Sequence, residues 1–311
     1  MEEHSRGKVS AVMVYGAIAL VMLLWAFNYI VTKAALREFD ALTLPVFRIT
    51  LAAILITPIF LARKGRREID RSDAIKFVQL GLFGVVLNQM FFNLGLSLTT
   101  VSHSALIVGL GPVYVLLLAW MQGLETIGAQ KVLGMVLAFA GVATLGLEHG
   151  FSLQGGTLVG DLMTMGGSLA FSLYVVLGKK VARKYDSLEM NFYNYVAAAV
   201  MILPVTLRQG LLFDWRAVSL QGWLALGYTA LFASVLAYLI YFWALRHVTA
   251  SRIAAFSYLL PLMATSFGIL LLGEKPSLQL FIGGGLVLFG VYLAETAAAG
   301  DRMADVEKET V

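Results

Sequence analysis

The sequence predicts an all-α integral membrane protein in which ten transmembrane helices form two inverted five-helix repeats, with both termini in the cytoplasm. Three observations predict this fold class. The 311 residues are 59% hydrophobic and only 14% charged, whereas soluble domains average about 25% charged residues. Ten apolar stretches are long enough to cross a bilayer. The two halves of the chain also repeat the same residues at fixed spacings.

Each predicted span contains about 20 mostly apolar residues, the length that a helix needs to cross the hydrocarbon core. Short connectors, many with Gly, Asp or Pro, separate the spans. In chain order the spans are 12–36, 43–62, 74–97, 102–123, 128–147, 157–180, 188–207, 219–245, 251–272 and 277–297. The first span lacks a small-residue cleavage pattern, so we expect it to be retained rather than removed as a signal peptide.

The internal repeat rests on identical residues at two fixed offsets. At an offset of 149 residues the pairs are Pro112 and Pro261, Glu125 and Glu274, Gln130 and Gln279, Gly134 and Gly283, and Gly141 and Gly290. At an offset of 146 residues they are Lys33 and Lys179, Arg37 and Arg183, Asp40 and Asp186, Leu42 and Leu188, and Pro58 and Pro204. Each half holds five spans, and because five is odd, the second half enters the bilayer from the opposite face. The halves are therefore predicted to be inverted copies.

These features divide the chain into four segments. They are a cytoplasmic N-terminal segment 1–11, a first repeat 12–147, a second repeat 157–297 and a cytoplasmic C-terminal tail 298–311. The polar tail is expected to be disordered. With the N-terminus inside, 17 of the 23 Lys and Arg residues lie in inner segments and 5 in outer segments. This bias predicts a multi-pass protein of the cell membrane, inner or plasma, with both termini cytoplasmic.

Composition excludes several classes of function. The chain has no cysteine, which excludes disulfides, thiolate zinc sites and a cysteine nucleophile. It contains no metal-ligand cluster, phosphate-binding loop or catalytic triad pattern, so we expect no metal, no cofactor and no enzymatic activity. Charged residues are scarce and form no concentrated basic face, so no nucleic acid is expected as a partner.

Several motifs, taken together, resemble one family. They are Trp25-Ala26-Phe27-Asn28 with Lys33, Phe47-Arg48, Gly160-Asp161, and the Pro112, Glu125, Gln130, Gly134 and Gly141 series with its second copy. In this order, and doubled across residues 12–297, they resemble the drug/metabolite transporter superfamily in its ten-span EamA-type branch. The resemblance implies export or exchange of small metabolites, commonly amino acids and related compounds. Members also carry nucleotide sugars, sugar phosphates and drugs. One departure is Phe171, which stands where a second copy of Trp25 would fall.

A transport site needs polar or aromatic side chains near the midplane, at a cavity that the two repeats share. Four spans carry such pairs at matched depth, three residues apart. The predicted substrate-binding residues are Trp25 and Asn28, their mates Phe171 and Tyr174, Gln89 and Phe92, and their mates Tyr238 and Tyr241. An aromatic wall with amide groups suits an apolar body that carries a polar head. The alternative is that these side chains only hydrogen-bond between spans.

Arg48 is the ninth predicted substrate-binding residue, and it lies inside the second span. Its mate in the second repeat is Asn194, which is uncharged. A charge at the centre of a span costs about 2.5–3.5 kcal/mol on insertion scales, so it must face protein or water. The functional interpretation is that Arg48 holds an anionic substrate group such as a carboxylate. The alternatives are snorkelling to the outer headgroups or hydrogen bonding to a neighbouring carbonyl.

The remaining motif residues have scaffold interpretations beside functional ones. Pro112 and Pro261 are predicted hinges, with a static bend as the alternative. Lys33 and Lys179 are predicted interface anchors. Glu125 and Glu274 are predicted to be turn residues that cap the helix that follows each of them, rather than binding groups. The glycines of spans five and ten predict close packing of these two spans or a dimer face. His103 is predicted to hydrogen-bond locally, with proton coupling as the alternative.

The leading hypothesis is therefore a secondary transporter that exports an amino acid or a related amphipathic compound by alternating access at a central cavity. No Asp or Glu lies mid-span, which favours facilitated diffusion or exchange. Its partners would be a small-molecule substrate and the lipid bilayer, and it would act as a monomer or homodimer. One alternative is a drug or sugar/nucleotide-derivative carrier of the same fold. Alternatives of other classes are a lipid-modifying membrane enzyme and a non-transporting assembly subunit. The enzyme would need clustered His, Asp or Glu, which the scattered His4, His103, His149 and His247 do not supply.

Overall fold

A computed structural model describes residues 11–65, 69–122, 127–146, 156–181, 184–245 and 259–309. These ranges contain ten helices and no strand. Seven are α1 (Ala11–Ala35), α2 (Thr43–Ala62), α5 (Ala129–Gly146), α6 (Thr157–Val181), α7 (Ser187–Leu212), α9 (Leu259–Leu272) and α10 (Leu278–Glu309). Three are built from consecutive segments: α3 (Arg71–Leu80, Gly81–Leu87 and Asn88–Leu98), α4 (Val101–Val108 and Gly111–Met121) and α8 (Leu220–Ala230, Leu231–Leu236 and Ala237–Leu245).

Seven of the described helices are long and apolar enough to cross a membrane, namely α1, α2, α3, α4, α6, α7 and α8. The other three contain shorter apolar stretches, Ala129–Leu145 in α5, Leu259–Leu272 in α9 and Leu278–Ala294 in α10. The first part of the ninth predicted span lies outside the described residues. The all-helical prediction is thus confirmed for the described chain, with seven helices of spanning length.

The C-terminal tail differs from its prediction. Helix α10 continues without a break to Glu309, whereas we predicted a disordered segment from Gly300. The segment after residue 297 contains three alanines and two glutamates and has no proline. These residues have high helix propensity, so a helix that has already started is continued rather than ended.

The contacts between helices keep the same pattern when the two halves are exchanged. Helix α2 packs on α7, α4 on α9, and α5 on α10. The contact of α1 with α8 has its counterpart in that of α6 with α3, and the contact of α1 with α9 in that of α6 with α4. Helices α3 and α8 also share a π-helical segment at matched positions, Gly81–Leu87 and Leu231–Leu236. Such segments are rare and are frequent at functional sites.

Glycines let α5 and α10 approach backbone to backbone. A Cβ atom at Gly141 would lie 2.5 Å from the carbonyl oxygen of Gly283, and one at Gly290 would lie 2.5 Å from the carbonyl oxygen of Gly134. Each contact pairs a glycine with a glycine of the other half. Of our two interpretations of these glycines, close packing of the fifth and tenth helices is therefore correct.

Helix α4 is broken at Pro112. Its first segment ends at Val108, and the second begins at Gly111 with the proline in its first turn. Proline has no N–H, so it cannot donate to the carbonyl of Val108, four residues earlier. Two serines one turn apart on α6 donate to the exposed carbonyls, Ser168 to Val108 (3.4 Å) and Ser172 to Gly111 (3.2 Å). Pro261 is the third residue of α9 as described, and the residues before Leu259 lie outside the described ranges.

Repeated polar residues cap the second helix of each half. Asp186 accepts hydrogen bonds from the N–H groups of Leu188 and Glu189, and the Glu189 carboxylate in turn accepts one from the N–H of Asp186. Its mate Asp40 accepts from the N–H groups of Leu42 and Thr43 at the start of α2. Burial opposes ionisation of Asp40, but the hydrogen bonds from Thr43 and Leu42 outweigh it and lower the pKa of the carboxyl group. These caps explain why Asp recurs at this offset.

Charged side chains also join the two halves at the ends of the bundle. Lys184 forms ion pairs with Asp70, which precedes α3, and with Asp73 in the first turn of α3. The two carboxylates raise the pKa of the Lys184 amine. At the equivalent place in the other half, Glu38 accepts from the N–H and the hydroxyl of Ser219, both at 2.7 Å. The two contacts are equivalent by the internal repeat. Lys184 is the mate of Glu38 at the offset of 146 residues, and Ser219 is the mate of Asp70 at the offset of 149 residues.

Candidate functional site

Arg48 of α2 is buried, with 5% of its surface exposed. Its Nε donates to the hydroxyl of Ser234 at 2.9 Å, and that hydroxyl donates to the carbonyl oxygen of Thr229 at 2.9 Å. Ser234 lies in the π-helical segment of α8. The side chain therefore points into the protein and does not snorkel. Its partner is a hydroxyl group rather than the backbone carbonyl that we considered as an alternative.

The positive charge of Arg48 has no acidic partner in the described chain. The ion pairs found there all lie elsewhere. The titratable groups that interact with the guanidinium are the phenols of Tyr195 and Tyr238, and these are uncharged at ordinary pH. Of the three guanidinium nitrogens of Arg48, only Nε donates a hydrogen bond to a described residue. The site thus holds a buried cation whose terminal nitrogens are available to an anionic group.

An aromatic wall stands beside this cation. The Trp25 ring of α1 lies 5.4 Å from the ring of Tyr238 and 5.3 Å from that of Tyr241, both on α8. The indole Nε1 donates to the carbonyl oxygen of Ala233 at 3.2 Å. Tyr238 in turn lies 6.5 Å from the ring of Tyr195. The structure therefore brings together three predicted site residues from the first and eighth helices, next to Arg48.

Amide side chains hydrogen-bond to tyrosine hydroxyls in the same region. Gln89 Nε2 donates to the hydroxyl of Tyr195 at 3.0 Å, and Asn194 Nδ2 donates to that of Tyr174 at 3.3 Å. Gln89 follows the π-helical segment of α3 by two residues, as Tyr238 follows that of α8. Gln89 and its mate Tyr238 thus occupy equivalent positions, each two residues after a π-helical segment.

Several buried amide oxygens in this part of the bundle have no hydrogen-bond partner among the residues that the structure describes. They are Asn28 Oδ1, Gln89 Oε1, Asn93 Oδ1 and Asn194 Oδ1. The buried hydroxyls of Thr32 and Thr265 are likewise without a partner. An unpaired buried acceptor costs about 1–3 kcal/mol, and most native proteins satisfy such groups. These oxygens therefore need water or a ligand that donates hydrogen bonds.

Other predicted site residues have different surroundings. Phe92 packs edge-on against Tyr29 at 5.0 Å, in an apolar cluster with α4 and α9. Phe171 lies 5.7 Å from the ring of Tyr174, and Tyr174 packs on Gly84 so closely that a Cβ there would lie 2.3 Å from the ring. Asn28 is buried on α1. Of the nine predicted residues, Phe92 and Phe171 thus pack in apolar clusters.

Helix α7 supplies functional candidates that the sequence reasoning missed. Tyr195 links Gln89 to the aromatic wall, and Asn191 Nδ2 donates to the carbonyl oxygen of Val235 at 3.2 Å. Both residues and Asn194 are buried. Asn191, Asn194 and Tyr195 occupy one face of the helix at i, i+3 and i+4. That spacing indicates a shared polar face on the helix. The prediction of site residues rested on polar or aromatic pairs that recur in both halves, and the mate of Tyr195 is an isoleucine.

Two interpretations of charged residues at the helix ends were wrong. Lys33 is not a membrane-interface anchor, because its Nζ donates to the carbonyl oxygens of Leu96 and Thr99. Glu274 does not cap the helix that follows it. It accepts instead from the N–H groups of Val101 and Ser102 at the start of α4. The side chains of their mates, Lys179 and Glu125, lie outside the described residues.

His103 is buried and lies beside a carboxylate. Its Nδ1 is 3.3 Å from Asp161 Oδ2, and Asp161 Oδ1 accepts from the hydroxyl of Thr99 at 2.6 Å. The carboxylate belongs to α6 of the other half, 58 residues along the chain, so the prediction of purely local hydrogen bonding was wrong. In the ranges that the structure describes, no three His, Asp or Glu side chains form a group that could hold a metal ion.

Comparisons with known proteins agree with the fold. The model of the EamA-like transporter family matches residues 12–147 and again residues 158–296. An "Uncharacterized transporter" of Archaeoglobus fulgidus is 30% identical over 283 residues, covering 89% of this chain and 95% of the relative. The "Uncharacterized transporter YyaM" of Bacillus subtilis is 29% identical, covering 84% of this chain and 87% of the relative. One solved crystal structure is similar in fold, with a TM-score of 0.64 at 20% identity, covering 93% of this chain and 99% of that one.

Proposed function

The chain belongs to the EamA-like transporter family and is a membrane transporter rather than an enzyme, and from this premise we propose that it is a secondary transporter that exports a small amphipathic metabolite. An amino acid or a related compound is the substrate class that the site supports best. The observation that carries this proposal is the buried Arg48, which has no acidic partner in the described chain and lies in a bundle that also buries unpaired amide oxygens.

The chemistry of the site matches a zwitterion. A guanidinium donates to both oxygens of a carboxylate, which makes such pairs strong and directional. Unpaired amide oxygens such as those of Gln89 and Asn194 accept hydrogen bonds, and an ammonium group offers three. The rings of Trp25, Tyr238 and Tyr241 supply an apolar surface for the substrate side chain. Carboxylate, ammonium and apolar body would each meet a complementary group.

The architecture supports alternating access. The main helix contacts persist when the halves are exchanged, and the family model matches once in each half. We propose ten spans in two inverted repeats, with both termini in the cytoplasm of a cell whose inner or plasma membrane holds the protein. Exchanging the conformations of the two halves would then open the central site to the other face.

The number of amides favours a second candidate, a carrier of sugar or nucleotide derivatives. Asn191, Asn194 and Gln89 are buried together with Arg48, and sugar hydroxyls need many donors and acceptors. The aromatic wall favours the first candidate. The two therefore differ in which compounds would compete for the site.

Reconstituted transport separates these candidates. Proteoliposomes loaded with radiolabelled amino acids, sugars and nucleotide sugars are expected to release at least one apolar or aromatic amino acid with saturable kinetics. Because no carboxylate lies mid-span, we expect the rate to be unchanged when the proton gradient is collapsed with the substrate gradient held fixed. Saturable release of sugar derivatives alone would favour the second candidate, and no release of any compound would count against both.

The broken helix α4 leads to a prediction about rate. Replacing Pro112 by Ala restores a backbone donor to the Val108 carbonyl and removes the break that Ser168 and Ser172 stabilise. If the break is a hinge, we expect transport to slow by about tenfold, or about 1.4 kcal/mol on the barrier, with substrate affinity unchanged. Pro58→Ala, which changes a proline inside α2, is the matched control and should transport normally. Normal transport by Pro112→Ala would make the break a static bend.

A further inference from the structure

The turn that joins α3 to α4 is held from three sides by charged side chains. Lys33 reaches it from α1, Asp161 from α6, and Glu274 from the end of α9. Helix α1 belongs to the same half as the turn, whereas α6 and α9 belong to the other half. The three side chains thus tie both halves together at one end of the bundle.

Lys33 binds the end of α3. Its Nζ donates to the carbonyl oxygens of Leu96 and Thr99, each at 2.6 Å. The last carbonyls of a helix lack intrahelical donors, and the helix dipole makes this end negative. A lysine ammonium is therefore bound both by hydrogen bonds and by the field of the helix.

Glu274 binds the start of α4 with the opposite charge. Its Oε1 accepts from the N–H of Val101 at 2.6 Å, and its Oε2 accepts from the N–H and the hydroxyl of Ser102 at 3.0 and 2.5 Å. The first N–H groups of a helix are unpaired, and this end is positive. Gly268 of α9 makes room, because a Cβ there would lie 2.6 Å from Glu274 Oε2.

Asp161 completes the arrangement from α6. It accepts from the hydroxyl of Thr99 at 2.6 Å and lies 3.3 Å from the ring nitrogen of His103. The side chains of Asp161 and His103 are both buried. The turn of two residues, Thr99 and Thr100, and the helix ends on either side of it are thus bonded to α1, α6 and the end of α9.

We infer that Lys33, Asp161 and Glu274 form a polar lock that closes this end of the transporter, and that opening the central site to this face requires the lock to release. The inference rests on the proposed alternating access. An ordinary helix cap comes from a residue next to the helix in sequence. Helix α4 has such a cap in Thr100, whose hydroxyl accepts from the N–H of His103. Glu274 adds a second cap from a residue 173 positions away in the other half. Its release would free the two halves to move apart.

The sequence supports a role beyond local capping. Lys33, Thr100, Ser102 and Glu274 have mates of the same type at the repeat offsets, Lys179, Thr249, Ser251 and Glu125. The structure describes no side chain of these mates. Asp161 does not recur, because its mate is Tyr15. Recurrence of the other four residues is expected of a device that an alternating transporter needs in each half, and is not expected of isolated solubilising charges.

A cysteine reporter tests the lock without any substrate. The natural chain has no cysteine, so a single introduced thiol gives the only signal. Thr32 is fully buried and its hydroxyl has no partner, so Thr32→Cys removes no hydrogen bond. It lies one residue before Lys33, on the helical stripe of Trp25 and Asn28, between the site and the lock. An impermeant methanethiosulfonate reagent is applied to intact cells and, separately, to inside-out vesicles.

In the Thr32→Cys background, Glu274→Gln is expected to speed labelling by at least about tenfold from the face at which the α3–α4 turn lies, a shift of about 1.4 kcal/mol. Labelling from the opposite face should not rise. Lys275→Gln is the matched control, because Lys275 is the exposed neighbour and should leave both rates unchanged. Lys33→Met should reproduce the effect of Glu274→Gln through the other end of the turn.

Unchanged labelling in both lock variants would overturn the lock, and so would an equal rise from both faces, which indicates general loosening of the fold. Labelling needs no transported compound, so a labelling result that contradicts the lock is distinct from a transport result that contradicts the proposed function. One-sided labelling without transport of any tested compound would retain the lock and count against the proposed substrate class.

Discussion

Replacing Arg48 by glutamine is expected to raise the KM for a carboxylate-bearing substrate by about ten- to hundredfold, because a hydrogen bond to a charged group contributes about 1.5–3 kcal/mol. Glutamine keeps a donor near Ser234 but loses the charge and the paired geometry that a carboxylate requires. The measurement is saturable uptake or efflux in proteoliposomes at matched protein density. An amide or ester derivative of the same substrate, which lacks the carboxylate, should show a much smaller change.

The matched control is Arg216→Gln, which removes the same charge from an exposed position between α7 and α8. It should leave KM and the maximal rate unchanged. If Arg48→Gln folds normally and keeps both kinetic constants for the carboxylate substrate, then Arg48 does not bind the substrate. Its role would then be limited to its hydrogen bond with Ser234.

The largest expected effect on stability is that of Gly290→Ala in α10. The added Cβ would lie 2.5 Å from the N atom of Ala138 and 2.5 Å from the carbonyl oxygen of Gly134. Both neighbours are backbone atoms of α5, so no side-chain rotation relieves the contact and the helices must separate. We expect a loss of about 1–3 kcal/mol in the free energy of unfolding, the usual cost of overfilling a packed interface. Thermal unfolding of the purified protein in detergent measures it.

Gly285→Ala is the matched control on the same helix. A Cβ at Gly285 meets nothing within 4 Å, and alanine favours a helix over glycine by about 0.5–1 kcal/mol. This variant should be as stable as the natural protein or slightly more stable. Equal unfolding temperatures for the two variants would contradict the close-packed seam between α5 and α10.

The glycine seam also shows what the repeat pattern could predict. Gly134, Gly141, Gly283 and Gly290 stood out because they recur at one offset, and small residues at regular spacing mark close helix contacts. Sequence spacing alone left open whether the partner was the matching helix or a second copy of the chain. The structure decides for the matching helix, because only tertiary contacts show which surfaces meet.

The candidate site was predictable in part. Arg48, Trp25, Gln89 and Tyr238 were found because polar or amphipathic side chains inside apolar spans are costly unless they face protein or water. Tyr195 was missed because it has no polar mate, and its importance comes from contacts with α3 and α8 that are distant in sequence. Phe92 matched the pattern but packs against Tyr29. Periodicity shows which residues share a helix face, but it does not show what that face contacts.

By itself, the sequence determined the helical class, the family, the doubled pattern and the buried arginine. Each of these depends on composition or on residues at fixed separations along one chain. Only the tertiary structure decided that Lys33 and Glu274 bind the ends of α3 and α4, where sequence reasoning had made one a membrane anchor and the other a cap of the next helix. A charged side chain stabilises any unpaired helix end that it can reach, and the fold decides which end lies within reach.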